Sequence, residues 1–318
     1  MRKYWILALI LGLSSTVSVQ GYVYDIKGLR KWHPEYKCYC YWIGCCDFHD
    51  KIHQASCQHR KKIEELLPMY NPADVLVVVE DLSSVNDAGC FGCGAYYINS
   101  RVGVLAGLGN FCKEQKIPLQ NVEYRYCRVV ALGPIINNIN ADPALFPSTG
   151  KMKISTIIQE IERAQLDLLF YNPTAAFQAH ITAQTNKVMG HMKKFNLMQD
   201  QEMTIAHYLQ AHTTPLNRLE IVKDLLTFDG IFIGMKFAGA TMNAPYKKKI
   251  IALGGGTHIN EAYELLQKID GWEPIAPHEL KGIGVPVLGK SIGTYFGNNY
   301  YAKPVPISLE VLEHYLHK

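Results

Sequence analysis

The stretch ADVLVVVEDL, residues 73–82, limits the fold more than any other part of this chain. Its aliphatic side chains come without polar alternation, so a strand there must be covered on both faces. That is the signature of a parallel sheet between helix layers. CYCYWIGCC, from Cys38 to Cys46, reads as an earlier buried strand because aromatic residues and β-formers dominate it. Between the two, Ile52, Ala55, Ile63, Leu66 and Leu67 recur at helical spacing and stop near Pro68. Strand, helix, strand is a βαβ unit with an expected right-handed crossover. A helix over VGVLAGLGNFCKEQ and a third strand over NVEYRYCRVVAL continue the pattern.

From Gly133 to about Thr227 the periodicity is helical, which predicts a helical insertion at about 139–214, in the position of a lid or cap. It carries His180, His191, His207 and His212, read as solvated or partly packed side chains. The sheet is expected to resume at KKKIIALGGGTHINEAYELLQKIDGWEP, again as strand, Gly-rich turn and helix. YDIKGLRKWHPEY, before the first strand, reads as irregular. The fold class expected is α/β: a mixed, largely parallel sheet flanked by helices, with the insertion before the last βα unit.

The N-terminus has two cations, a short apolar run from Trp5 to Leu13, then small and polar residues. This is the layout of a secretory signal peptide, expected over residues 1–21 with cleavage near Ser18 or Gly21. Residues 22–318 would then form a single domain in an extracytoplasmic compartment, secreted or periplasmic. A net charge of +4, scattered along the chain, points away from a nucleic-acid partner. The lysine run at Lys247 to Lys249 and Arg60 to Lys62 read as solvated faces. No later stretch is apolar enough to insert in a membrane. Nine cysteines in an exported chain imply disulfide bonds, with at least one thiol left over. The alternative, structural zinc on Cys38, Cys40, Cys45, Cys46 and His49, crowds its ligands into one segment.

Ligands of open parallel sheets collect beyond the carboxyl ends of the strands. There the first expected strand runs out at Asp47 and His49, and the second at Glu80 and Asp81. Glu123 and Arg125 sit in or beside the third, Asp229 lies in the helix preceding the last strand, and GGGTH presents His258 and Asn260. Each alone has a plain reading as a helix cap, strand-end carboxylate, ion pair or turn histidine. Their convergence on one edge suits divalent-cation binding or acid–base hydrolysis. GGGTH lacks the spacing of nucleotide-binding loops, so its glycines read as a tight turn into the helix.

IGCCDFH, VVVED, EYR and GGGTHINEAYELLQKIDGW, in this order, resemble segments of the TraB/TIKI superfamily, which includes GumN-like, ChaN-like and erythromycin-esterase-like proteins. The helical insertion and the tail lie outside the resemblance. It implies a mixed α/β sheet with its site at one edge, and metal-dependent hydrolysis in some members or haem binding in the ChaN-like branch. Carried across, His49, Glu80 and His258 become metal ligands, with Arg125 in support. An extra residue between Gly44 and His49 leaves Asp47 as an alternative to His49. The function expected is a divalent-metal-dependent hydrolase, a peptidase or esterase acting on a small-molecule or peptide substrate. In it, Asp81 or Glu123 takes a proton from bound water and Arg125 steadies the oxyanion. The rival expectation is a non-catalytic protein that binds haem, a metal or a small ligand.

Overall fold

The computed structural model describes residues 19–51, 54–81, 105, 107–124, 153–171, 173–212, 215–275 and 307–317. The elements, in chain order, are β1 (Val19–His33), β2 (Cys38–Lys51), α1 (Gln54–Leu66), β3 (Val75–Val79), α2 (Leu108–Glu114) and β4 (Leu119–Asn121). The inserted helices α3 (Ile154–Leu169), α4 (Ala175–Lys194) and α5 (Ile205–His212) follow. Then come α6 (Pro215–Met242), β5 (Lys249–Gly255), α7 (Gly256–Asp270), β6 (Glu273–Pro274) and α8 (Leu309–His317).

Six strands form one sheet in the order β4-β3-β5-β2-β1-β6. The pairs β4–β3, β3–β5 and β5–β2 are parallel, and β1 is antiparallel to both its neighbours. The fold class is therefore the one expected. β5 sits between β3 and β2, so the last long strand among the described residues occupies the middle of the sheet.

The alternation along these strands feeds two hydrophobic layers. Trp42, Cys46, Leu76, Val78, Ile250 and Ala252 face α6 and α7. Ile43, Cys45, Val75, Val77, Val79, Ile251 and Leu253 face α1, α2 and α8. Each fully buried Val, Leu or Ile contributes roughly 1.5–3 kcal/mol relative to exposure, which is why an uninterrupted aliphatic run is the stable choice here. The inserted helices pack outside α6, and their buried residues, among them Ile154, Phe177 and Ile181, join the α6 layer as one continuous core.

Two expectations about the strands are corrected. YDIKGLRKWHPEY is not irregular: its residues up to His33 belong to the long strand β1. A register shift between Val23 and Asp25 breaks the two-residue period, and the charged side chains suit a strand near the sheet's edge. The third strand starts earlier than expected, as β4 at Leu119–Asn121, with Glu123 beside it, and residues 125–132 lie outside the described residues. β1 begins at Val19, so cleavage after Gly21 would remove residues that pair with Lys51, Asp50 and His49.

Nor is the lysine run a solvated face throughout, although Lys248 is exposed and pairs with Asp74. Lys247 and Lys249 are both buried. Lys247 Nζ donates to Pro72 O and Ala73 O, each at 2.9 Å. Lys249 Nζ donates to Leu316 O at 2.7 Å, satisfying a carbonyl at the end of α8. Burial pulls the Lys249 ammonium down to about 8. Between about pH 8 and 10.5 the unfolded chain then holds a proton that the native state has released, so stability rises with pH across that window. A Lys249→Met variant lacks this rise. Urea midpoints at pH 7.5 and 10.5 should show wild type gaining about 1–3 kcal/mol on the variant, since each tenfold change in proton affinity is worth roughly 1.4 kcal/mol. Parallel pH profiles would mean that Lys249 is solvated.

Candidate functional site at the β3 and β5 ends

β3 ends at Val79, and the next residue continues its ladder: Glu80 N–H donates to Leu253 O at 3.0 Å. Alternation from Val78 places Glu80 on the α6/α7 face. Its carboxylate, in a residue only 7% exposed, meets the start of α7. Oε2 accepts the Gly255 N–H at 2.8 Å, and Oε1 lies 3.7 Å from His258 Nε2. Gly255 is the N-cap residue of α7, where the helix dipole favours negative charge by about 0.3–1 kcal/mol. Two residues 178 positions apart in the sequence are thus brought together.

Two of the three glycines of GGGTH, Gly254 and Gly256, serve this approach, and Gly255 does not make a turn that only glycine can make. Gly255 has φ −56°, open to any residue. A Cβ on Gly254 would lie 2.7 Å from the Phe237 ring and 3.0 Å from Glu80 Oε2. One on Gly256 would collide with the Tyr24 hydroxyl. Glu80, Phe237, His258 and Tyr24 therefore ring a stretch of bare backbone. Gly255, by contrast, would make only ordinary contacts, at 3.4 Å and beyond. Gly254→Ala and Gly256→Ala should each cost about 1–3 kcal/mol through overpacking, with Gly255→Ala within about 1 kcal/mol of wild type. Thermal melts of the three variants would check this, and three equal costs would overturn the steric reading.

Sequence reasoning does not find Tyr24, because it lies in a segment that reads as irregular. Burial raises its phenol, with Cys46, Asp25 and Asp47 adding to the effect, so the hydroxyl stays a proton donor at neutral pH. Asn121 escapes it too. Its side-chain amide donates to Asp81 O at 2.8 Å, and its Oδ1 accepts from Asp81 N–H and Glu123 N–H, each at 3.1 Å. It ties the end of β3 to the end of β4.

No family model, curated protein or solved structure matches this chain.

The remaining candidates are distributed unevenly. Asp81 directs Oδ2 to the Gly109 N–H at 3.0 Å, near the start of α2 and on the face opposite Glu80. Glu123 is buried and accepts the Tyr124 N–H at 2.9 Å. Asp47 is buried in β2 and pairs in register with Gly255. Asn260 is half-buried in α7. His49 lies in β2 opposite Gly21, but its side chain is outside the described residues, as are Arg125 and the side chain of Asp229.

Cys38, Cys40, Cys45, Cys46 and Cys112 are free thiols. Adjacent Cys45 and Cys46 point into opposite core layers and cannot share a ligand. Burial pushes the Cys45 thiol up to about 12 and Cys112 to about 11, which disfavours the thiolate that zinc or nucleophilic chemistry needs. The cysteines Cys90 and Cys93, and the side chain of Cys57, lie outside the described residues.

A divalent ion fits the donor set in part. Two donors at about 2.0–2.2 Å from one ion, at a tetrahedral angle, sit roughly 3.3–3.6 Å apart. The 3.7 Å between Glu80 Oε1 and His258 Nε2 is close to that edge. Among the described residues no group of three or more His, Cys, Asp and Glu is placed to hold a metal. Glu80 and His258 are two of the three expected ligands, and the side chain of the third, His49, lies outside the described residues.

Proposed function

We propose that this chain is a divalent-metal-dependent hydrolase, a peptidase or esterase of extracytoplasmic location, acting where β3 and β5 end. The observation that carries the reading is the buried Glu80 carboxylate, oriented by the Gly255 N–H and facing His258 Nε2 at 3.7 Å. The order of the IGCCDFH, VVVED and GGGTH segments, which resembles the TraB/TIKI superfamily, supports it. The N-terminal layout supports export. Among the described residues no helix is long and apolar enough to cross a membrane.

Glu80, His258 and His49 would hold the ion. When bound, a divalent cation acidifies a coordinated water and polarises a carbonyl. The chain's own contribution is positional. The Gly255 N–H occupies Glu80 Oε2 and leaves Oε1 turned to His258. Phe237 packs against Gly254 and keeps one side of the pair apolar. Tyr24, protonated and seated against Gly256, places a phenol hydroxyl at the α7 N-terminus. The substrate is a small molecule or peptide reaching that edge.

The test is equilibrium dialysis against Zn(II), Mn(II) and Co(II) with metal analysis, paired with hydrolysis of a chromogenic ester and a fluorogenic peptide set. Stoichiometric metal with turnover is expected. Metal without turnover would favour the non-catalytic binding protein, and neither would remove the reading.

A further inference from the structure

At the other edge of the sheet, where β2 and β5 begin and α6 and α7 end, lies a cavity of about 240 Å³. Ile250, Met242 and the buried Trp272 give it apolar and aromatic walls, and the exposed Trp32 also borders it. Its charged groups are Lys31, Lys247 and Asp270. Both Asp270 oxygens are engaged: Oδ1 accepts from Lys31 Nζ at 2.7 Å, and Oδ2 accepts from Trp272 Nε1 at 2.8 Å. Lys247 spends two of its N–H groups on Pro72 O and Ala73 O. An ammonium has three donors. The Lys247 ammonium also lies 5.2 Å from the centre of the Tyr246 ring, so the surplus donors at this wall are those of Lys31, while the one carboxylate has both oxygens hydrogen-bonded. Two cations against one anion also leave the wall one positive charge in excess.

We propose that this cavity binds a one-ring aromatic monocarboxylate, with the ring among Ile250, Met242 and Trp272 and the carboxylate toward Lys31. Size, shape and charge each contribute to that choice. A closed apolar cavity of about 150 Å³ holds benzene, so the volume here accommodates a ring with a carboxylate attached. Pockets of this kind pair an apolar wall with a few polar groups that fix orientation. An aromatic amine would meet two ammonium groups and a carboxylate already shared, and would lose its hydration without a partner. The inference is independent of the proposed hydrolase, because Glu80 and His258 lie at the opposite ends of the same strands.

The test titrates the full chain with benzoate, benzamide and benzylamine, read by tryptophan fluorescence and by saturation-transfer NMR of the probe. Benzoate should bind saturably and at least tenfold more tightly than either comparator. Lys31→Met, which removes surplus donors from a partly exposed position, should weaken benzoate about tenfold. Ala244→Leu, which fills the cavity, should abolish binding of all three probes, with circular dichroism checking that the variant folds. If Ala244→Leu does not fold, Lys31→Met decides the matter. Equal affinity for benzamide or benzylamine, benzoate binding unchanged in Lys31→Met, or no saturable binding of benzoate would each overturn the proposal.

Discussion

Replacing Glu80 by Gln should lower hydrolytic turnover at least 100-fold, about 2.7 kcal/mol of transition-state stabilisation, and should leave most of the fold intact. The amide oxygen can still accept the Gly255 N–H, so the local turn survives, while the charge facing His258 is lost. His258→Ala should do the same, since His258 is a partly buried side chain at a helix start whose loss opens no large core cavity. If the two residues serve one centre, the double variant costs little more than either single one. Asp81→Asn is the comparison: Asp81 is also buried, in the next position, but bonded to Gly109 on the other face. It should retain metal and turnover within a few-fold. Metal content and thermal melting of all four proteins decide between readings. Full metal occupancy in Glu80→Gln and His258→Ala together would remove the shared centre, and unfolding of both would make the pair structural.

The contrast between Glu80 and Asp81 shows what the sequence can and cannot convey about the site. Both end the same aliphatic run, and both read as strand-end carboxylates. Only the alternation of the strand separates them, sending one to α7 and the other to α2. That parity depends on where the strand's hydrogen bonding stops, which VVVED does not state. The pairing of Glu80 with His258 is readable, because a parallel sheet places βα turns along one edge. The fold class is readable for the same reason: β3, β5 and α7 have unbroken hydrophobic patterns, with Gly271 closing α7 in the left-handed conformation at φ 68°. β1 is hidden by its bulge and its charges, and Tyr24 is hidden with it. The buried lysines are hidden by composition, since KKK looks solvated until Leu316 O, Pro72 O and Ala73 O are placed against it.

Glu261 belongs to the same hidden group, and it carries the largest expected effect of pH on stability. It lies in α7 where a Cβ on Gly234 of α6 would strike its carboxylate, so the two helices close on each other over an acidic side chain. Burial, reinforced by the neighbouring Glu264, raises its pKa from 4.5 to about 8. An acid whose folded pKa lies above its unfolded value is protonated in the native state and ionised in the unfolded chain between the two. The native state binds the extra proton there, so stability falls as pH rises from about 4.5 to about 8 and stays reduced beyond. Glu261→Gln mimics the protonated acid in shape and hydrogen bonding and cannot ionise. At pH 5 the variant and wild type should melt within about 1 kcal/mol of each other. At pH 9 the variant should be more stable by about 2–4 kcal/mol, less than the roughly 5 kcal/mol of a fully enclosed carboxylate, because the side chain can turn partly to water when charged. Urea denaturation of both proteins at pH 5, 7 and 9 measures the difference directly. Curves that stay parallel across that range would show that Glu261 reaches solvent, and that the α6–α7 interface does not enclose its carboxyl group.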